Sequence, residues 1–436
     1  MRIETVEIKK LGINGEGIGY IDRKIIFIKG ALIGEIVEVN ITNTTRKYYE
    51  GEIRKIKSIS KDRVTPSANQ AKEGSEYTLL HMKYSSQLRF KKEAIRESIR
   101  KYTSYNLDNT VFKDVIACKP LEGFISTVNL PVVQYKNRLS FGIYQRESKQ
   151  LTILTNSFRH DPRINTCLQQ LEIIINQHGC KTYNDKTRLG LRFIKVKLIK
   201  DSLQIVFITG KDGLPKGVSD AIRDIENVQG LFVSVNTSRY QEFEEVGYTK
   251  VFGKTLLEWY HQDKKYMVSI KSRLADNMTM YEKRNNEILK MLEDSQNVIS
   301  LHCGIGVLEL QMEQTVIAID EKQYHIEDAK VNQKWAKKDN ITFIRGDIDD
   351  KVVTYAKKKI YDTFIIQNGR FGLSEEIKDS IRLSKAKHVI YVCESHPTLA
   401  KDLADLEKYY HLEKIVALDT FAYMPHVSVI VKLTRK

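Results

Sequence analysis

The sequence predicts a multidomain α/β protein: a small β-barrel at residues 1–58, a central α/β domain at 59–265 and a doubly wound, Rossmann-like domain at 266–436. Three observations carry this reading. Apolar and polar residues alternate between turn glycines in the first segment. Strand-like and helix-like runs mix in the second. In the third they alternate regularly and close on two adjacent strands. A chain of 436 residues is also too long for one core.

The barrel rests on "IETVEIKKL", "GEGIGYID", "KIIFIKGAL", "GEIVEVNIT" and "YYEGEIRKI", read as five short strands. Its basic turn "TTRKYY" (44–49) suits either a phosphate backbone or plain solvation. Residues 59–86 are polar and irregular. "QLRFKKEAIRESIRKYT" (87–103) has the spacing of an amphipathic helix, with Leu88, Ile95, Ile99 and Tyr102 on one stripe. Arg89, Lys92, Arg96 and Arg100 lie largely off it and read as a solvated face.

The central segment joins strands such as "RLSFGIY", "RFIKVKLI" and "LQIVFIT" to helices such as "INTCLQQLEIIINQHG". No catalytic cluster shows in it. From 266 the order is a helix, the strand "NVISLH", the turn "CGIG" (303–306), a helix-like stretch, the strand "VIAID" and a long helix. "ITFIRGD", "YDTFIIQ", "HVIYV", a helix from "PTLAKDL", and the final strands "LEKIVALD" and "HVSVIVKL" follow.

Lys plus Arg number 70 against 55 Asp plus Glu, a net charge of +15 that favours polyanionic partners, RNA first. The five cysteines are scattered and form no CxxC pair, so neither a disulfide framework nor a zinc site is expected. No apolar signal core and no membrane-length apolar run occurs, so a soluble, cytoplasmic protein without a membrane partner is expected.

A glycine turn after a strand lets the backbone approach a ligand closely. Cys303, Gly304 and Gly306 form that turn. Asp320 ends the next strand, where a ribose hydroxyl pair would be held. Asp347 ends the third and would accept from an adenine amino group. "CGIG" lacks the GxGxxG spacing for a pyrophosphate, so S-adenosylmethionine is the cofactor that suits it.

These motifs, in this order, resemble the bacterial RNA uracil-5-methyltransferase family, which makes 5-methyluridine in ribosomal or transfer RNA. The resemblance spans the chain. "GEGIGYID" and "FIKGALIGEIVEV" are similar to an OB-like TRAM domain. "LLHMKYSSQLRFKKEAI" (79–95), "QYKNRLSF" (134–141), "LHCGIG", "AIDEKQ", "TLAKDL" and "MPHV" resemble further family segments. It implies a class I methyltransferase domain at the C-terminus. It also implies RNA contact at Lys136, Asn137, Arg138 and Arg370, and cofactor contact at Asn277, Cys303, Gly304, Gly306, Asp320 and Asp347.

The departures fall on the chemistry. The resemblance implies a thiolate that attacks uracil carbon 6, carbon 5 that takes the methyl of S-adenosylmethionine, and a carboxylate that removes the carbon-5 proton as the thiolate leaves carbon 6. Matched on "TLAKDL", the nucleophile slot holds Glu394, with Cys393 one place earlier. The base slot holds Ser428 and the pocket carboxylate slot holds Gln367. On the cofactor side Ala275 and Ser300 replace a glutamine and an aspartate. The four cysteine slots of the family's iron–sulfur cluster hold Ala68, Gly74, Tyr77 and Ser157, so no cluster is expected.

The favoured reading is an RNA-binding relative without the usual chemistry, a pseudoenzyme acting in rRNA processing, on a ribosomal particle, or beside an active paralogue. The alternative is an active RNA uracil-5-methyltransferase whose loop has slipped, so that Cys393 attacks and His396 takes the proton. A third is a cofactor-binding sensor. Cys393 also reads simply as a buried strand-end cysteine.

Overall fold

A computed structural model describes residues 2–74, 77–145, 150–238, 246–261, 264–358 and 360–436. The chain forms two compact units. One comprises Met1–Lys119, Lys290–Leu301 and Val352–Lys436, the other Pro120–Leu289 and His302–Lys351.

In the first unit the barrel has strands Ile3–Glu7, Lys10–Leu11, Gly17–Ile21, Lys24–Lys29, Ile36–Thr44 and Tyr48–Ser58. That is six strands where the sequence suggested five, because the first run bends at Ile8 and Lys9. Its first half pairs with Ile36–Thr44 and its second with Gly17–Ile21. The sheet thereby closes on itself and leaves no long free edge. Val6, Ile8, Ile26, Ile28, Val37 and Val39 fill it from alternate positions. Glu35 is buried against it and accepts from Arg63 Nε at 2.6 Å and Nη2 at 2.7 Å. Burial alone would raise the Glu35 carboxyl, but Arg63 and the Leu32 and Ser60 amides hold it below its ordinary value.

The helix Tyr84–Tyr102 packs on the helix His396–Leu406. Its buried positions are Ser86, Gln87, Lys91, Ile95 and Ile99. This corrects the expected stripe: Ile95 and Ile99 stay, Leu88 is only half-buried, and Tyr102 is 39% exposed. The spacing of four from Gln87 to Ile99 sets the inner face, and Lys91 lies on it because an acidic partner is there to receive it.

The parallel strands Asn297–Leu301, Thr363–Gln367 and His388–Cys393 pair in that order. Ser428–Arg435 runs antiparallel to His388–Cys393 and pairs in turn with Tyr410–Leu418. This is the expected closure on two adjacent strands. It aligns the ends Gln367, Cys393 and Ser428, because Gln367 pairs with Val392 and Cys393 with Val429.

In the second unit a seven-stranded sheet runs Thr249–Gly253, Val228–Val235, Ser202–Thr209, Leu191–Ile199, Thr127–Tyr135, Arg138–Tyr144, Leu151–Ile153. Helices Pro162–Gln177 and Lys216–Ile222 contribute Leu168, Leu171, Ile175, Val218 and Ile222 to its core. The strands Thr315–Asp320 and Ile341–Arg345 pair in parallel, and the helix Gln323–Ala336 lies between them in sequence. The stretch after "CGIG" is only a short 3-10 turn, Glu309–Gln311, rather than a full helix. No described helix is long and apolar enough to cross a membrane.

Candidate functional site

The glycine turn and Asp320 meet in the second unit. Gly304 N–H donates to Asp320 Oδ2 at 2.9 Å, and Lys322 N–H donates to Oδ1 at 2.9 Å. His325, in the first turn of the helix Gln323–Ala336, sets Nδ1 2.9 Å from Oδ1. Burial by itself would raise the Asp320 carboxyl, but His325 and the two amides hold it below its ordinary value. Asp320 is therefore a buried, fixed anion at the end of a parallel strand. Each carboxylate oxygen has two lone-pair sites, so one, on Oδ2, remains to accept a ribose hydroxyl.

Gly306 has φ +78°, and a Cβ there would stand 2.5 Å from the Phe343 ring. Only glycine closes this turn. Cys303 is buried, its thiol pushed well above its usual range by burial and by Glu309 and Asp320. It is a packing residue of the turn.

Asn277 is buried, and its Oδ1 accepts from Met280 N–H at 3.1 Å at the start of the helix Met278–Leu289. It also lines a cavity of about 460 Å³ with Trp259, Tyr260 and Met278. Asp347 is exposed, and its Oδ1 accepts from Asp350 N–H at 3.0 Å. It caps the helix Ile348–Ala356. Reasoning from sequence missed His325, whose only signal was its place five residues after a strand-end aspartate.

Lys136 and Asn137 form the two-residue turn of a hairpin, both with left-handed backbone, φ +46° and +62°. That turn matches the strand twist, and asparagine tolerates the conformation. Tyr135, Lys136, Asn137 and Arg138 are all exposed there, and Lys136 Nζ lies 5.3 Å from the Tyr135 ring centroid. The tip is a basic, aromatic-bearing projection.

The residues expected in the catalytic slots all lie in the first unit. Gln367 ends its strand, half-buried. Glu394 follows Cys393 and its N–H donates to Gly369 O at 2.6 Å, which ties the two strand ends together. Ser428 opens its strand, buried, with no hydrogen-bond partner for Oγ among the described residues. Arg370 is exposed, with its guanidinium 5.6 Å from the Phe421 ring centroid.

Cys393 ends its strand and His396 opens the helix His396–Leu406, each with a partner of its own. Cys393 is buried, and Sγ donates to Ser395 O at 3.4 Å. Burial raises its thiol, with Tyr391 and Ser395 drawing it partly back. Such a thiol carries little thiolate. His396 is buried with Nδ1 2.7 Å from Ser98 Oγ, and burial lowers its imidazole to about 4. No hydrogen bond joins these two side chains among the described residues, so they form no nucleophile–base pair here.

Between Asp419 and Ser428 a loop is fastened to the helix Tyr84–Tyr102. Lys91 Nζ donates to Asp419 Oδ1 at 2.5 Å and to Phe421 O at 3.0 Å. Tyr84 Oη donates to Asp419 Oδ2 at 2.9 Å. Gln87 Oε1 accepts from Tyr423 N–H at 3.1 Å. The sequence did not reveal this anchor, since a lysine among other basic residues reads as solvated.

Of the iron–sulfur slots, Ala68 starts the helix Ala68–Lys72, Gly74 and Tyr77 follow it, and Ser157 is buried in the second unit. None offers a thiolate, so the residues present do not fit such a cluster.

A TRAM domain model matches residues 2–53. The chain is 27% identical to an uncharacterized RNA methyltransferase of Enterococcus faecalis, over 99% of this chain and 97% of that one. It is 26% identical to another of Halalkalibacterium halodurans, over 97% and 94%. Among solved structures, the Pyrococcus abyssi tRNA (uracil-54, C5)-methyltransferase in complex with S-adenosyl-L-homocysteine aligns with a TM-score of 0.78. That likeness covers 99% of this chain and all of the other at 20% identity, and it shows the fold.

Proposed function

The chain is a TRAM-domain relative of the RNA uracil methyltransferases, and we propose that it binds RNA on this scaffold without the family's methyl-transfer chemistry. The observation that carries the reading is the base slot. Ser428 is buried, and its hydroxyl is far too weakly basic to take a carbon-5 proton near neutral pH. The nucleophile slot points the same way. Glu394 offers a carboxylate, a poor nucleophile towards an unactivated uracil carbon.

Cofactor binding is a separate matter. Gly304, Gly306 and Asp320 suit the adenosine half of S-adenosylmethionine, which supplies an electrophilic methyl group when bound. The functional division we adopt is TRAM domain 1–58, central RNA-binding domain 59–265 and methyltransferase-like domain 266–436. The RNA partner we infer is ribosomal or transfer RNA, in a maturing particle or beside an active paralogue.

The deciding experiment offers the protein labelled S-adenosylmethionine and RNA from cells that lack it, followed by digestion to nucleosides. The expected result is bound RNA and no labelled nucleoside. Labelled 5-methyluridine that disappears in Cys393→Ala would mean that the loop rearranges and the enzyme is active.

The RNA surface has its own test. Lys136→Glu with Arg138→Glu should weaken RNA binding. It should also flatten the slope of log affinity against log salt by at least about 1.4, the loss of two single-strand phosphate contacts. Unchanged affinity and slope, from a filter-binding titration in salt, would remove the hairpin from the RNA surface.

A further inference from the structure

Phe371 is 93% exposed, the most exposed of the large hydrophobic side chains among the described residues. An isolated apolar side chain in water is ordinary. What sets this one apart is the rigidity of the turn that presents it. Phe371 N–H donates to Asn368 O at 3.3 Å, and Asn368 Nδ2 donates to Gly372 O. Gly369 O accepts from Glu394 N–H at 2.6 Å. Gly372 has φ +81°, and a Cβ there would stand 2.7 Å from Thr398 Cγ2. Leu373 N–H then donates to the buried Asp402 Oδ2 at 3.1 Å. The backbone on both sides is fixed, and it directs one aromatic ring outward.

The surroundings identify the occupant. Arg370, the preceding residue, is exposed and carries a cation on the same turn, 5.6 Å from the Phe421 ring centroid. Gln367 and Glu394, in the changed catalytic slots, lie at the base of the same turn. Leu373, the next apolar residue, is buried, so among the described residues of this turn Phe371 alone presents a large exposed apolar side chain, less than a protein partner would desolvate on. A nucleobase needs only one π-face to stack, with a cation nearby for its phosphate.

We propose that Phe371 is a stacking residue for an unpaired base of bound RNA, with Arg370 on the adjoining phosphate. The proposal rests on the RNA-binding reading above and adds to it the state of the RNA: single-stranded at this turn. A base inside a duplex has both faces covered and has no use for the ring.

The test uses the full-length protein, a short unstructured single-stranded RNA, and the same strand annealed to its complement. Phe371→Ala should bind the single strand at least about fivefold more weakly and the duplex unchanged. Phe371→Trp should keep the affinity, and its added indole emission should be quenched by the single strand. With the ring 93% exposed, neither variant threatens folding. Wild-type affinity in Phe371→Ala, or an equal loss on single strand and duplex, overturns the stacking role and leaves RNA binding intact. A wild-type protein that binds neither RNA overturns both readings.

Discussion

Asp320→Ala is expected to take S-adenosylmethionine binding below detection by titration calorimetry. The carboxylate would accept a ribose hydroxyl at its remaining site on Oδ2, and a hydrogen bond to a charged group contributes about 1.5–3 kcal/mol. Losing it removes roughly one to two decades of affinity. A second effect adds to this. Gly304 N–H and Lys322 N–H both lose their acceptor, so the turn that frames the ligand is no longer held. His325 is released as well. Asp320→Asn separates the two contributions. It keeps the shape and one acceptor oxygen but not the charge, and should fall between wild type and alanine. The melting temperature of each variant, measured without ligand, reports the structural part. Affinity unchanged in Asp320→Ala would mean that the turn is not the cofactor pocket.

Why Asp320 was legible and His325 was not follows from the kind of signal each leaves. A strand end, a glycine turn and an acidic residue recur at fixed topological positions, and alternation shows where the strands end. His325 meets Asp320 only because the helix begins at Gln323 and brings its first turn back over the strand end. Helix ends are uncertain by about one or two residues, and Lys322 at this N-cap makes no side-chain capping bond to mark the start. The barrel was visible through its period of two, yet its sixth strand was not, because the bend at Ile8 and Lys9 leaves no mark in the alternation. Cys393 shows the opposite limit. Its place at a strand end allowed two readings, a nucleophile and a buried cysteine, the second the commoner. The buried Sγ bonded to Ser395 O follows from the packing around it, which no spacing reveals.

Lys91→Met is expected to destabilise the first unit by about 3–5 kcal/mol, because it leaves the fully buried Asp419 carboxylate without its cation. The loss is not the strength of the ion pair. Burial pulls the Lys91 ammonium below its ordinary value and Asp419 pushes it back up, so desolvation offsets much of the attraction. The cost comes from the partner left behind. Tyr84 Oη and Phe421 N–H still reach Asp419, but neither carries a charge. This anchor joins positions 328 residues apart in the sequence, and no periodicity links them. Its consequence is local to the loop that leads to Ser428, which is fastened through Asp419, Phe421 O and Tyr423 N–H. Lys91→Met with Asp419→Leu removes both charges and should recover a large part of the stability, since an apolar pair of similar volume replaces an ion pair at little cost. Denaturant melts of the two single variants and the double variant close the cycle. Equal losses that add in the double variant would mean that Lys91 and Asp419 act independently and that the loop is held by its other contacts. A double variant more stable than Lys91→Met alone places the loop's attachment in this pair.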